Sequence, residues 1–236
     1  MIWYFLWIST VVSLCVFLAV RRSRQVQIQP TLTIDTLLAG LVFGLIGARL
    51  FHIVIEEPGH YFESPLRVFA LGQGGFVWYG GLLVGASASV VLLQRRQFPV
   101  LRWTDAMAPI AALGYGLGRL ACWIQGCCYG VCLLSSDTAA CAHGRYPTQL
   151  FAVGWELAVA AMLWRSSGWK RGVWTGLWLA LHGLGRIIME QHRADPRGLP
   201  IAGLSVGTWL SAALLVLGLV LIWRARQSRD SSHQLR

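Results

Sequence analysis

Apolar runs of membrane-spanning length, separated by short basic or glycine-rich breaks, constrain this chain more than any other feature. No charged residue occurs from Ile2 to Val20, and Arg21, Arg22 and Arg24 follow at once. A bilayer core about 30 Å thick takes roughly 20 residues of helix, at a rise of about 1.5 Å per residue. Lipid offers an open backbone no hydrogen-bond partner, so runs of this kind span as helices. The spacing predicts helices near residues 2–20, 36–55, 75–94, 106–125, 148–165, 172–191 and 203–223. The expected class is therefore all-α, a polytopic membrane protein with about seven transmembrane helices. One transmembrane domain is expected over residues 1–226, with a disordered cytoplasmic tail over 227–236.

The chain is 56% hydrophobic and only 13% charged, too little charge to solvate the surface of a soluble domain of this size. A formal charge of +10 invites a nucleic-acid reading, but the basic residues lie in short clusters between the apolar runs, which excludes a compact basic face. Arg21, Arg22, Arg24, Arg95, Arg96, Arg102, Lys170, Arg171, Arg224, Arg226 and Arg229 fall in alternate breaks. The intervening breaks hold only Arg67, Arg145, Arg193 and Arg197. The positive-inside bias then sets the N-terminus in the periplasm and the C-terminus in the cytoplasm of a bacterial inner membrane. The first run lacks the basic lead of a secretory signal and carries its arginines behind it, so it reads as a retained helix.

Chemistry concentrates in the fourth run and the loop after it, Gly114-Tyr-Gly-Leu-Gly-Arg-Leu-Ala-Cys-Trp-Ile-Gln-Gly-Cys-Cys-Tyr-Gly130. An arginine at membrane depth costs about 2.5–3.5 kcal/mol on insertion scales, so Arg119 should face the bundle interior and meet an anion. Glycines around it admit a bulky ligand, and a guanidinium grips phosphate oxygens in pairs, which reads as a lipid-headgroup site. The competing reading is a structural arginine neutralised by a carboxylate. Tyr79, between Trp78 and the glycine pair Gly80-Gly81, is either a headgroup contact or an interfacial aromatic. Arg186 and Glu190 stand four apart on one helix face, an ion-pair spacing, and Arg193 adds a positive charge that wants a phosphate. Glu156 is expected to be buried, with Arg49, Arg119 or Arg186 as partner, although Arg49 is equally able to snorkel to an interface.

Six cysteines stand at positions 15, 122, 127, 128, 132 and 141. Cys15 reads as an inert buried thiol. Cys132 and Cys141 enclose a loop of ordinary size, which favours a disulfide in an oxidising compartment, with zinc and His143 as the rival. The spacing lacks paired C-x-x-C knuckles, so no metal and no cofactor is expected. A catalytic thiol at Cys122 or Cys127 has no recognisable base beside it.

Taken together, these stretches resemble the bacterial prolipoprotein diacylglyceryl transferases, from about Trp3 to Trp209 and in the same order. Gly80-Gly81-Leu82 matches the end of that family's Gly-Gly-x-x-x-His-Gly-Gly-Leu segment, and Gly118-Arg119-Leu120 opens its Gly-Arg-x-x-Asn-x-x-Asn-Gly-Glu signature. Pro147-Thr148-Gln149-Leu150 is similar to its His-Pro-Ser-Gln-Leu-Tyr segment, Glu156 to its later buried glutamate, and Arg186, Glu190 and Arg193 to its Arg-x-x-x-Glu-x-x-Arg run. The resemblance implies transfer of the diacylglyceryl group of phosphatidylglycerol to the thiol of a lipobox cysteine in a prolipoprotein. Its partners would be phosphatidylglycerol, the signal-peptide and lipobox region of the prolipoprotein, and the bilayer, with no nucleic acid. It assigns Tyr79, Arg186 and Glu190 to catalysis, and Arg119, Tyr4, Gly80, Gly81, Gln125, Gly126, Glu156 and Arg193 to substrate binding. Departures fall on the family's histidine, which is Tyr79 here, and on its asparagine and glutamate, which are Cys122 and Cys127. They motivate an alternative, a phospholipid-binding membrane protein that is non-catalytic or has a different acceptor.

Overall fold

Helix α2 begins on Pro30, six residues before the expected boundary, because proline at the first helical turn has its φ preset and loses no hydrogen bond there. The computed structural model describes residues 2–56, 58–70, 75–132, 144–165, 171–194 and 202–233. Over these it is all-α, with α1 (Ile2–Gln25), α2 (Pro30–Phe51), α3 (Pro58–Glu63), α4 (Trp78–Arg95), α5 (Val100–Gln125), α6 (Thr148–Arg165), α7 (Val173–Gln191) and α8 (Val206–His233). A π-helical turn over His52–Glu56 and a 3-10 turn over Pro65–Phe69 flank the short α3. Helix α8 continues to His233, past the point where the expected tail begins.

Among the described residues four helices, α1, α2, α5 and α8, are long and apolar enough to cross a membrane. The other three of the expected seven, α4, α6 and α7, are shorter, at 18, 18 and 19 residues. Phe5, Phe17, Leu41, Phe43, Leu219 and Trp223 stand exposed on the long helices, an apolar exterior suited to lipid rather than water.

The chain packs as two units, residues 1–22 with 104–236, and residues 23–103. In the second unit α2 lies against α4 through facing glycines. A Cβ on Gly47 would sit 2.6 Å from the Gly80 carbonyl, and one on Gly85 2.6 Å from the Gly40 carbonyl. Glycine lets the two backbones approach that closely at the crossing. Arg49 closes this unit. It is 6% exposed and donates to the carbonyls of Val68, Gly75 and Arg67 at 3.2, 3.1 and 2.7 Å. Tyr61 and Phe76 rings flank its guanidinium at 5.4 and 5.6 Å. The arginine does not snorkel. It satisfies carbonyls of the 3-10 turn and of Gly75 beyond it.

In the first unit Ala108, Ala112, Val159, Ala160 and Leu163 form a core where α5 meets α6, covered by Trp155, Trp174 and Trp178. Small residues at the centre let tryptophans from α6 and α7 close over them. Asp105 of α5 caps the start of α7. Its carboxylate accepts from the Gly172 and Thr175 amides at 2.6 and 2.8 Å and from the Thr175 hydroxyl at 2.7 Å. Such a cap satisfies orphan amides and contributes about 1–2 kcal/mol. Helices α7 and α8 cross at Gly176 and Gly218, and Gly183 lies against the Ser211 carbonyl, where a Cβ would come to 2.5 Å.

Candidate functional site

The site is built on the end of α5. Gly126 adopts φ +69 and ends the helix, while its amide donates to the Trp123 carbonyl at 3.1 Å. The Cys127 amide donates to the Cys122 carbonyl, also at 3.1 Å. These two bonds make a Schellman cap, which folds the second residue past the helix back over the last turn. Here those two residues are Cys127 and Cys122. Cys128 follows with φ +61, a left-handed value that turns its side chain inward as well. The sulfurs of Cys122, Cys127 and Cys128 all lie within 4.8 Å of one another, and all three thiols are free. Sequence spacing alone hid this cluster, since the sulfurs meet through the cap rather than through a knuckle. The signal that could have found it was glycine between two cysteines at a helix end.

Two segments hold the loop in place. Thr148 and Gln149, at the start of α6, donate side-chain hydrogen bonds to the carbonyls of Cys128 and Cys127 at 2.9 and 2.7 Å. Isolated antiparallel bridges join Gly130 to Arg193 and Cys132 to Arg145. Gly130 has no room for a side chain, because a Cβ would meet the Tyr146 and His192 carbonyls at 2.6 and 2.7 Å. Below the loop, Trp123, Gly126, Tyr129, Arg145, Tyr146 and Gln149 line an open groove of about 510 Å³. Arg145 stacks over Tyr129 at 4.1 Å. Cys132 is disulfide-bonded, and Cys141, its expected partner, lies outside the described residues, as does His143.

Arg119 stands one turn before the cap, 7% exposed. Its Nη1 reaches Cys122 Sγ at 3.8 Å, and its Nε and Nη2 are buried without a hydrogen-bond partner. The Cys122 thiol hydrogen bond, with the Arg193 and Arg119 charges, holds the Cys128 thiol down at about 4 against the opposing effect of burial. Burial and the neighbouring Cys128 push the Cys127 thiol up.

Arg186 of α7 lies within electrostatic range of Arg119, Arg193, Tyr115 and Cys128. Glu190 faces it at 3.5 Å, as the spacing predicts, and Ser205 donates to the other Glu190 oxygen at 2.6 Å. Tyr4 of α1 lies in range of the three cysteines, and Trp7 ties α1 to α5 through the Leu117 carbonyl at 2.9 Å. Gln125 and Gly126 are exposed at the cap itself. Among the described residues of this unit, the structure brings together Arg119, Arg186, Glu190, Arg193 and Tyr4 around the cysteines.

Glu156 is buried as expected, but its partner is not an arginine. His182 Nδ1 lies 2.7 Å from Glu156 Oε1, and Tyr115 meets the imidazole edge-on at 4.5 Å. Both members line a pocket with Tyr115, Trp155, Gly185 and Arg186. The reason is register: His182 stands one turn before Arg186 on α7 and faces α6, where Glu156 sits. Gly185 makes room, since a Cβ there would run into the Trp155 indole. Sequence reasoning missed His182; its signal was a histidine on the arginine's own face of an apolar helix.

Tyr79, Gly80 and Gly81 belong to the other unit. Tyr79 is half-buried and edge-on to Phe51 at 6.3 Å. Gly80 and Gly81 turn their Cα faces to α2, at Phe51 and the Gly47 and Gly44 carbonyls.

A model of the prolipoprotein diacylglyceryl transferases matches residues 1–224. The phosphatidylglycerol–prolipoprotein diacylglyceryl transferase of Nitrosomonas europaea is 32% identical over 205 residues, covering 81% of this chain and 72% of that protein. The protein of that name from Nitrosospira multiformis is 33% identical over 210 residues, covering 81% and 70%. The one from Streptococcus agalactiae serotype Ia is 27% identical over 244 residues, covering 98% and 94%. With a match that takes in both units and every residue of the cysteine-capped helix, the chain belongs to the prolipoprotein diacylglyceryl transferase family.

Proposed function

We propose that this chain transfers the diacylglyceryl group of phosphatidylglycerol to the thiol of a lipobox cysteine in a prolipoprotein. The observation that carries the reading is Arg119, a buried guanidinium with two nitrogens that meet no hydrogen-bond partner among the described residues. A buried cation of this kind needs an anion, and a phosphate offers oxygens in the paired geometry of the guanidinium edge. The acceptor sulfur forms a bond to the glycerol carbon bearing the phosphate ester. The C–O bond breaks, glycerol phosphate leaves with the electron pair, and the thiol proton passes to a base. Arg119 and Arg186 stabilise the charge that grows on the departing phosphate, and Glu190, anchored by Ser205, orients Arg186. Arg193, Tyr4, Gln125 and Gly126 border the headgroup, and Glu156 holds His182 beside Arg186.

The test is transfer from phosphatidylglycerol to a lipobox peptide by purified protein, run beside phosphatidylglycerol binding. Peptide mass should rise by one diacylglyceryl group, and a serine-substituted peptide should stay unmodified. Binding without transfer would favour the second reading, a lipid-binding protein, to which the tyrosine at position 79 in place of histidine lends weight. Loss of transfer with binding intact in Tyr79→Phe would assign the phenol to the chemistry.

The same proposal includes seven spans in the inner membrane, the N-terminus periplasmic and the C-terminus cytoplasmic, and a Cys132–Cys141 pair on the periplasmic side. A reporter fused after Arg224 should read cytoplasmic and one inserted near Ser136 periplasmic. The reverse pattern would overturn the orientation and, with it, the compartment assigned to the cysteine loop.

A further inference from the structure

We propose that Cys122, Cys127 and Cys128 form a three-sulfur site for a thiophilic d10 metal ion, zinc above all, whose fourth position takes the acceptor thiol. The second half rests on the transferase reading; the first does not. Three independent features of the fold point to the metal.

The first is geometry. The three sulfurs converge within 4.8 Å, whereas a Zn–S bond of about 2.3 Å in a tetrahedron sets sulfurs about 3.8 Å apart. Small rotations about the side-chain bonds close that difference, and the sulfurs already converge from the last turn of α5 and the two residues after its cap. The second is the rigidity of the mount. The Schellman bonds fix Cys122 against Cys127, and Gln149 and Thr148 hold the carbonyls of Cys127 and Cys128. Ligand-bearing backbone held by outer hydrogen bonds is what metal sites require. The third is charge. Three thiolates on a divalent ion carry one net negative charge, and Arg119 and Arg193 lie in range to offset it. Arg119 does so with Nη1 alone, leaving Nε and Nη2 for a phosphate.

Among the described residues no fourth histidine, cysteine or carboxylate joins the three. A zinc site with three protein ligands keeps a position for water or substrate. A thiol that enters it is deprotonated outright, which supplies the acceptor as the thiolate the transfer needs. The ion holds the sulfur as thiolate and releases the proton to solvent. That sulfur then forms the bond to the glycerol carbon while the C–O bond to phosphate breaks. No electron changes hands and no oxidant is needed. This departs from the expectation of a metal-free chain, which rested on linear spacing rather than on the fold of the cap.

The experiment uses the full-length protein, purified reduced in detergent. Elemental analysis should give one zinc per chain, kept by Cys15→Ser and lost by Cys127→Ser with Cys128→Ser. Because loss of two cysteines also tests the fold, cobalt exchange into the unmutated protein gives a second reading. Intense sulfur-to-cobalt charge-transfer bands and tetrahedral d–d bands are expected. Reduced protein that takes up neither zinc nor cobalt would overturn the site, as would mass mapping of a disulfide among the three cysteines. Addition of lipobox peptide should shift the d–d bands, and the serine-substituted peptide should not. Cobalt bands unmoved by the cysteine peptide would overturn the acceptor half and leave the metal. A band shift with no transfer would instead count against the transferase reading.

Discussion

Arg119→Ala should lower diacylglyceryl transfer by at least about a thousandfold, the scale seen when a buried donor to a developing charge is removed. The side chain is 7% exposed; among the described residues no carboxylate pairs with it, and its one hydrogen bond is a long one to Cys122. Water cannot take the place of the missing guanidinium at that depth, so the departing phosphate would lose its stabilisation without replacement. Arg119→Lys should remain badly impaired, because an ammonium is a point charge and cannot present two parallel N–H groups to phosphate oxygens. Arg96→Ala is the control. That arginine pairs with Asp35 at 3.4 Å on an exposed surface, where an ion pair is worth little. Phosphatidylglycerol binding should fall together with transfer. Full binding by the Arg119→Ala, Arg186→Ala double variant would sink the phosphate site and the transferase reading with it.

Glu156→Leu and His182→Leu should each lower the stability of the detergent-solubilised protein by about 3–5 kcal/mol, the usual cost of orphaning one member of a buried pair. Glu156 and His182 are 2% and 6% exposed, and each closes the other's hydrogen bond at 2.7 Å. Removing either leaves a polar group among Tyr115, Trp155 and Trp178 with no partner. The double Leu variant should be more stable than either single one, since two apolar side chains face each other there without an orphan. Thermal unfolding of the four proteins reads the cycle directly. A double variant whose loss equals the sum of the two singles would show that the pair has no energetic coupling. Transfer in the double variant measures separately how far the pair holds Arg186.

Much of the helix plan was legible because lipid-facing runs announce themselves by length. Helix α6 runs over Thr148–Arg165, the predicted span, since Pro147 marks its start and an arginine its end. The intrahelical Arg186–Glu190 pair was likewise readable, being a local matter of i,i+4 spacing. What escaped the sequence depends on contacts distant along the chain. Arg49 looked free to snorkel because nothing linear says that three carbonyls, 18 to 26 residues away, lie waiting for it. His182 carried no motif, and only the facing of α7 on α6 makes it the partner of Glu156. The thiol cluster was hidden for a third reason, since it depends on the sign of φ at Gly126 and Cys128.

That cap has a bearing on how such a chain can change over generations. The bonds that stop α5 run through main-chain atoms and one left-handed glycine, so they are indifferent to the side chains at positions 122 and 127. Those are the two positions where the family signature carries asparagine and glutamate. Two substitutions, made with no repair to the backbone, therefore exchange an amide and a carboxylate for two sulfurs held at the same spot. A scaffold of this kind lets the reactive groups drift from hard to soft donors while the fold stays as it was. The glycine between them is set apart by its left-handed φ, where any side chain would be strained.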